Sequence, residues 1–262
     1  MQDIVDVFQS PQPRVRRVPV DRAWRWLGLG WRDFRVAPRQ SFAWGMVPVV
    51  AGWLAAALLA WFDLPYLLLP LGAGFFFLGP FLAGCFYEIS RRHEQRLHID
   101  VESVAFAWKR NAEQIALMGV LLLVFHLVWM RLAQLLFAIF AWRSIPSWDR
   151  FADLLWYSSH SLPFLALGTL LGAALAAIAF TVAAFALPYL LDRRNANLFE
   201  AIATSVAAVR LNVRPMLLWA VLIVFLTGLG MVPGLLGLAI ALPVIGHATW
   251  HAYRDIVVFV DE

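Results

Sequence analysis

Residues 162–191 read LPFLALGTLLGAALAAIAFTVAAFALPYLL, without one charged side chain. The hydrocarbon core of a bilayer is about 30 Å thick and asks for roughly 20 apolar residues per helix. This stretch therefore reads as a helix whose solvent is lipid. Five further stretches follow the same logic: 42–61, 64–87, 115–138, 215–232 and 234–253. Pro48, Pro70, Pro80, Pro188 and Pro243 fall inside them. Neighbouring helices can satisfy the backbone groups that proline frees, so kinks are expected rather than breaks.

The composition agrees. Of 262 residues, 62% are hydrophobic and 15% charged; a soluble domain carries about 25% charged residues. The mean hydropathy is +0.72. A soluble fold cannot hide this much apolar surface, and a single cysteine, Cys85, excludes a disulfide scaffold. The first twenty residues lack the apolar core of a signal peptide and read as a flexible tail.

Basic residues set the orientation. With six spans, 18 of the 21 basic side chains fall on one side, and only Arg131, Arg143 and Arg150 on the other. Both termini are expected in the cytoplasm. The pI near 9.7 then reflects anchoring at anionic headgroups, and a nucleic-acid partner is not needed.

Each odd-numbered span follows a short amphipathic stretch. Leu27, Trp31 and Phe34 share their spacing with Val101, Ala105 and Trp108, and with Ile202, Val206 and Val209. A base comes next (Arg35, Lys109, Arg210), then Ala37, Asn111 and Asn212, then Gln40, Gln114 and Pro215. Spacing of four and three residues places each set on one helical stripe, as in helices lying in the membrane interface. Asp21, Asp100 and Asn197 are expected N-caps, and Asn197 with Glu200 forms a capping-box pattern. The expected anchors are Arg22, Arg25, Trp31, Arg32, Arg35, Trp108, Lys109, Arg110, Arg210 and Arg214. Around Trp148, Phe151 and Leu155 a further interfacial helix is expected on the opposite side.

The expected fold is thus all-α: a polytopic membrane protein of six transmembrane helices in three hairpins, each preceded by a cytoplasmic interfacial helix. Residues 1–20 form the tail, 21–257 one membrane domain, and 258–262 a short end.

Candidate chemistry is sparse. His247 and His251 share a helix face, and with Glu88, or with Asp192, they offer metal-ligand types. No HExxH or CxxC accompanies them, so hydrogen-bonded packing is the expected role, and neither metal nor cofactor is predicted. His126 lies near the middle of the third span, where an ionisable group is a functional candidate; His126 with His247 is the pair that would ligate a haem axially. His93 and His98 read as loop residues. Arg131 reads as snorkelling to the outer headgroups. Gly168, Gly172 and Ala176 form a small-residue stripe suited to close helix packing.

Trp31-Arg32-Asp33, Gly79-Pro80 with Tyr87-Glu88 and Arg91-Arg92, Leu187-Pro188-Tyr189 with Leu191-Asp192-Arg193, and residues 246–254 (GHATWHAYR) resemble the domain of unknown function 2189 family. The resemblance runs from about Arg16 to Val257. It implies a bacterial inner-membrane protein and carries over no catalytic residue. The expected function is non-enzymatic: an accessory, assembly or membrane-organising protein whose partners are lipids and a membrane protein or a second copy. The alternatives are a small-solute transporter or channel, and a subunit or assembly factor of a respiratory, cytochrome-oxidase-type complex, with haem binding through the histidines above as its variant.

Overall fold

The computed structural model describes residues 13–64, 67–68, 71–72, 79, 82–140 and 158–259. Two short strands, β1 (Pro13–Val15) and β2 (Val257–Phe259), pair antiparallel and hold the two ends of the chain side by side. Between them run α1 (Arg22–Val36), α2 (Pro38–Trp61), α3 (Gly84–Glu94), α4 (Val101–Ala105), a 3-10 turn (Ala107–Asn111), α5 (Ala112–Phe140), α6 (Ser161–Ala183), α7 (Ala186–Asp192), α8 (Leu198–Leu211), α9 (Val213–Met231) and α10 (Leu238–Ile256). Half of the expected second span, and the expected outer interfacial helix, lie outside the described residues.

Among the described residues, four helical stretches are long and apolar enough to cross a membrane: Pro38–Trp61, Ala107–Phe140, Ser161–Asp192 and Val213–Met231. Their outward faces carry large exposed apolar side chains, such as Leu58 at 57%, Leu127 at 55%, Leu170 at 67% and Val221 at 55%. In water such a surface would aggregate; in lipid it is matched to its solvent. α10 does not reach that composition, because its second half is packed inside protein and carries His247, His251, Arg254 and Asp255. It nevertheless runs antiparallel along α2. Trp53 Nε1 donates to Gly234 O at 2.8 Å, and Gly45 sits on Ala239 and Pro243. Further along, Ser41 meets His247.

Local chemistry explains the boundaries. Pro38 opens α2 at N1, where its missing N–H costs nothing, and it disfavours helix at Ala37, so α1 stops there. The 162–191 span is divided at 184–185, just before Pro188. Ser205 repairs the break: its hydroxyl donates to Thr181 O at 2.8 Å and accepts from Phe185 N at 3.2 Å. Asp100 and Asn197 cap as expected, accepting from Ser103 N and Glu200 N. Only half of the capping box forms, since the Glu200 carboxylate accepts from Tyr189 Oη instead. Asp21 holds the N-cap position of α1 but makes no side-chain cap bond; the chain already turns at Pro19, whose carbonyl and that of Val20 accept from Arg22 N and Ala23 N.

The three elbows that join amphipathic helix to span are built alike. In unit one the buried stripe is Trp26, Gly30, Asp33, Ala37 and Ser41; the matching stripe of unit three is Ala201, Ser205, Ala208, Asn212 and Met216. In unit two Val104, Ala107 and Ile115 are buried at the corresponding places. The stripes named from sequence lie one residue further along and are less buried: Trp31 is 44% and Trp108 47% exposed, whereas Leu27, Ile202 and Val209 still pack partly against the core.

Each elbow grips the chain entering the next unit. Gln40 Nε2 donates to Ile99 O at 3.4 Å. Asn111 Nδ2 donates to Ala196 O at 2.8 Å, and Gln114 Oε1 accepts from Leu198 N at 2.8 Å. Asn212 closes the ring by accepting from Val18 N at 2.9 Å and donating to Arg16 O at 3.0 Å. Inside that ring α3, α7 and α10 pack together. On the far side Gly172 of the small-residue stripe takes the Trp129 ring of α5.

Candidate functional site

The densest buried polar cluster joins α1, α2, α3 and α10. α1 reaches α10 through Gly30, where a Cβ would stand 2.5 Å from Val244 O and 2.7 Å from Ala248 N. That close approach carries Asp33, one turn on, into the interface, where its side chain is fully covered. Its position corresponds to Ala107 and Ala208 in the other units, so unit one puts an acid where the others put a methyl group.

A buried carboxylate needs partners. His93 Nδ1 donates to Asp33 Oδ1 at 2.9 Å, and His251 Nε2 donates to Oδ2 at 2.8 Å. Burial alone would push the Asp33 carboxyl up. The hydrogen bond and charge of His251, with a hydrogen bond from Ser90, outweigh it and hold the group at about 2, below the ordinary 3.8.

His247 continues the network and is wholly buried. Its Nδ1 lies 3.1 Å from Phe86 O and 2.9 Å from Ser90 Oγ. A carbonyl only accepts, so Nδ1 carries the proton, and Nε2 accepts from Ser41 Oγ at 3.0 Å. Two linked sets of hydrogen bonds thus lie side by side: Ser41 and Ser90 on His247, and His93 and His251 on Asp33. On the outer side a cleft of about 470 Å³ is lined by Arg32, Val36, His93, Glu94 and His251. Glu94 is held at its edge by Trp250 Nε1 at 2.9 Å and Arg254 Nε at 3.1 Å.

The candidates named from sequence separate. His247 and His251 share a helix face but serve different partners. Glu88 is not their third ligand: Arg91 and Arg92 take its carboxylate at 2.6 and 2.8 Å. Among the described residues no three His, Cys, Asp or Glu side chains form a metal-binding group. His126 sits on α5, which packs chiefly on α6, α7 and α8, whereas α10 packs chiefly on α1, α2, α3 and α9. The axial pair His126–His247 is thus not assembled, and His247 has no ring nitrogen to spare. Among the described residues His126 Nδ1 is buried without a hydrogen-bond partner. Asp192 accepts from Tyr253 Oη at 2.9 Å.

The anchors line the rim. Arg25, Arg35, Arg210 and Arg214 are exposed, Arg22 stands 3.9 Å from Asp255, and Arg32 is 3.7 Å from Asp33. Trp31 stacks on Phe34. Lys109 lies over the Phe106 ring, near Trp108, and Arg110 Nε donates to Leu191 O at 2.9 Å. Arg131 is exposed beside Gln134.

Asp33, Ser41, Ser90 and His93 are the site residues that sequence reasoning missed. His93 belongs to the last turn of α3, not to a loop. One usable signal existed: among the three matched stripes, Asp33 is the charge at a place otherwise filled by alanine.

No curated protein and no solved structure matches the chain. The family match is narrower than the resemblance of the sequence: it holds Ser90 and His93 but stops short of Asp33, Ser41, His247 and His251. Residues 68–192, just under half of the chain, match the family described as Predicted integral membrane protein (DUF2189).

Proposed function

We propose that this integral membrane protein is non-enzymatic and acts as an accessory, assembly or membrane-organising factor. In this reading six spans form three hairpins, each entered through an interfacial helix, and both ends face the cytoplasm of a bacterial inner membrane. The pairing of β1 with β2 supports an even number of crossings, and the antiparallel course of α10 along α2 supports counting it as the last of them. The distribution of arginines supports the orientation.

One observation carries the functional reading. The buried polar groups are spent on each other: His247 on Ser41, Ser90 and Phe86, and Asp33 on His93 and His251. Such bonds fasten four helices together and fix a surface for others to use. Mild-detergent purification with mass spectrometry and an absorption spectrum tests this. A membrane protein recovered in fixed ratio, without a Soret band, is expected. Recovery of the chain alone, or a haem spectrum, would overturn the reading.

A second reading, passage of a small solute, draws on the unpartnered His126 Nδ1 in α5. Solute flux in proteoliposomes that is lost in His126→Leu would favour it over the first.

A further inference from the structure

The strap that leads into α1 crosses the elbow between α8 and α9 and encloses a cleft of about 320 Å³ there. Arg17 enters it from the strap, and Arg210 and Arg214 from the elbow. All three are exposed, and none makes a hydrogen bond or ion pair with the described residues. Among the described residues no acidic side chain lines the cleft. Besides buried Asn212, its remaining wall is apolar, with Val20 at 42%, Leu211 at 37% and Val213 at 58% exposed. The cleft lies where the apolar stretch Val213–Met231 begins, which sets it at headgroup depth with the apolar wall against the acyl chains.

A pocket that is cationic inside and apolar at its rim complements an amphiphile with a negative head. We infer that this cleft binds the phosphate of an anionic phospholipid, taken from the surrounding leaflet. The other elbows argue for a built feature rather than general basicity. At the places of Arg210 and Arg214, unit two has Lys109 and Glu113, so an acid cancels the charge; unit one has Arg35 and Arg39, but the segment crossing its elbow brings Asp100. Only the closing elbow gathers three cations without an acid. Bound lipid would then seal the ring at the junction that Asn212 holds.

The inference rests on the membrane reading above, and its test separates the two. Short-chain phosphatidylglycerol, phosphatidylcholine and inorganic phosphate are titrated into the purified full chain, with thermal stability in detergent as the readout. The triple variant R17Q/R210Q/R214Q and the control R35Q/R39Q are treated alike. Each unpaired arginine contributes measurably to anionic lipid binding, so the triple variant should bind phosphatidylglycerol at least about tenfold more weakly, while the control matches the natural chain. Phosphatidylcholine and phosphate should give no saturable shift. Equal binding by the triple variant, or saturation by phosphate alone, would overturn the inference while the membrane reading stands. Recovery of the natural chain in the soluble fraction of cells would instead overturn the membrane reading, and this inference with it. Because the three side chains are exposed and unpaired, the triple variant should melt as the natural chain does without lipid.

Discussion

Replacing Gly30 with alanine is a sharp probe of the packing, because the same helix supplies its own control. An alanine Cβ at position 30 would stand 2.5 Å from Val244 O and 2.7 Å from Ala248 N. Both are backbone atoms of α10, so no side chain can rotate out of the way. Relief requires α1 and α10 to part by about 1 Å, the gap between 2.5 Å and ordinary contact at 3.4 Å or more. Overpacking of this kind costs about 1–3 kcal/mol, and the parting also stretches the bonds from His251 and His93 to Asp33. Against this, alanine gains up to about 1 kcal/mol in helix propensity over glycine. At Gly28 nothing lies within 4 Å, so Gly28→Ala keeps the gain without the clash. Because the propensity gain is common to both, the two variants should differ by the clash alone, about 1–3 kcal/mol, with Gly28→Ala at or above the natural stability. Reversible unfolding in mixed micelles of mild detergent and SDS measures the difference. Equal stability of the two variants would refute the close crossing of α1 and α10.

Three further outcomes follow from the same geometry. The Asp33 carboxyl is held at about 2 against an ordinary 3.8, so its contribution, about 2 kcal/mol, is present above pH ~4 and lost as the pH falls towards ~2; Asp33→Asn should flatten the acid limb of a pH–stability profile in that window. Asn212→Ala leaves Val18 N–H without its acceptor and should cost about 1–3 kcal/mol; limited proteolysis should then cut the strap at Arg16 or Arg17 sooner, whereas Asn111→Ala should leave that cleavage unchanged. Ser41→Ala and Ser90→Ala should couple through His247 by about 0.5–2 kcal/mol in a double-mutant cycle of unfolding, and strict additivity would deny the shared imidazole.

Much of the architecture is legible because lipid imposes long apolar runs and helices impose a period. The elbows were visible as matched spacings, and Asn111, Gln114 and Asn212, found by that matching, prove to be the residues that grip the next unit. Stripe position was misjudged by one residue, since hydrophobicity points to Trp31 and Trp108 whereas close packing selects Gly30 and Ala107. The cluster around Asp33 was not legible for a related reason. Beside Arg32, an aspartate on a basic helix reads as a solvated charge, and only the approach allowed by Gly30 buries it. His247 is buried and hydrogen-bonded to Ser41, Ser90 and Phe86 O. Its neighbours Ser41 and Ser90 come from distant helices, which no local pattern announces. Glu88 is held by Arg91 and Arg92, which lie about one turn away on the same helix.

The central claim is that the polypeptide crosses lipid an even number of times and returns to where it started, its two ends joined as a pair of strands. Reporter fusions after Val258 and near Ser158, read beside a fusion to the amino terminus, measure this directly. Both ends are expected in the cytoplasm and Ser158 in the periplasm. Termini on opposite faces would contradict the account.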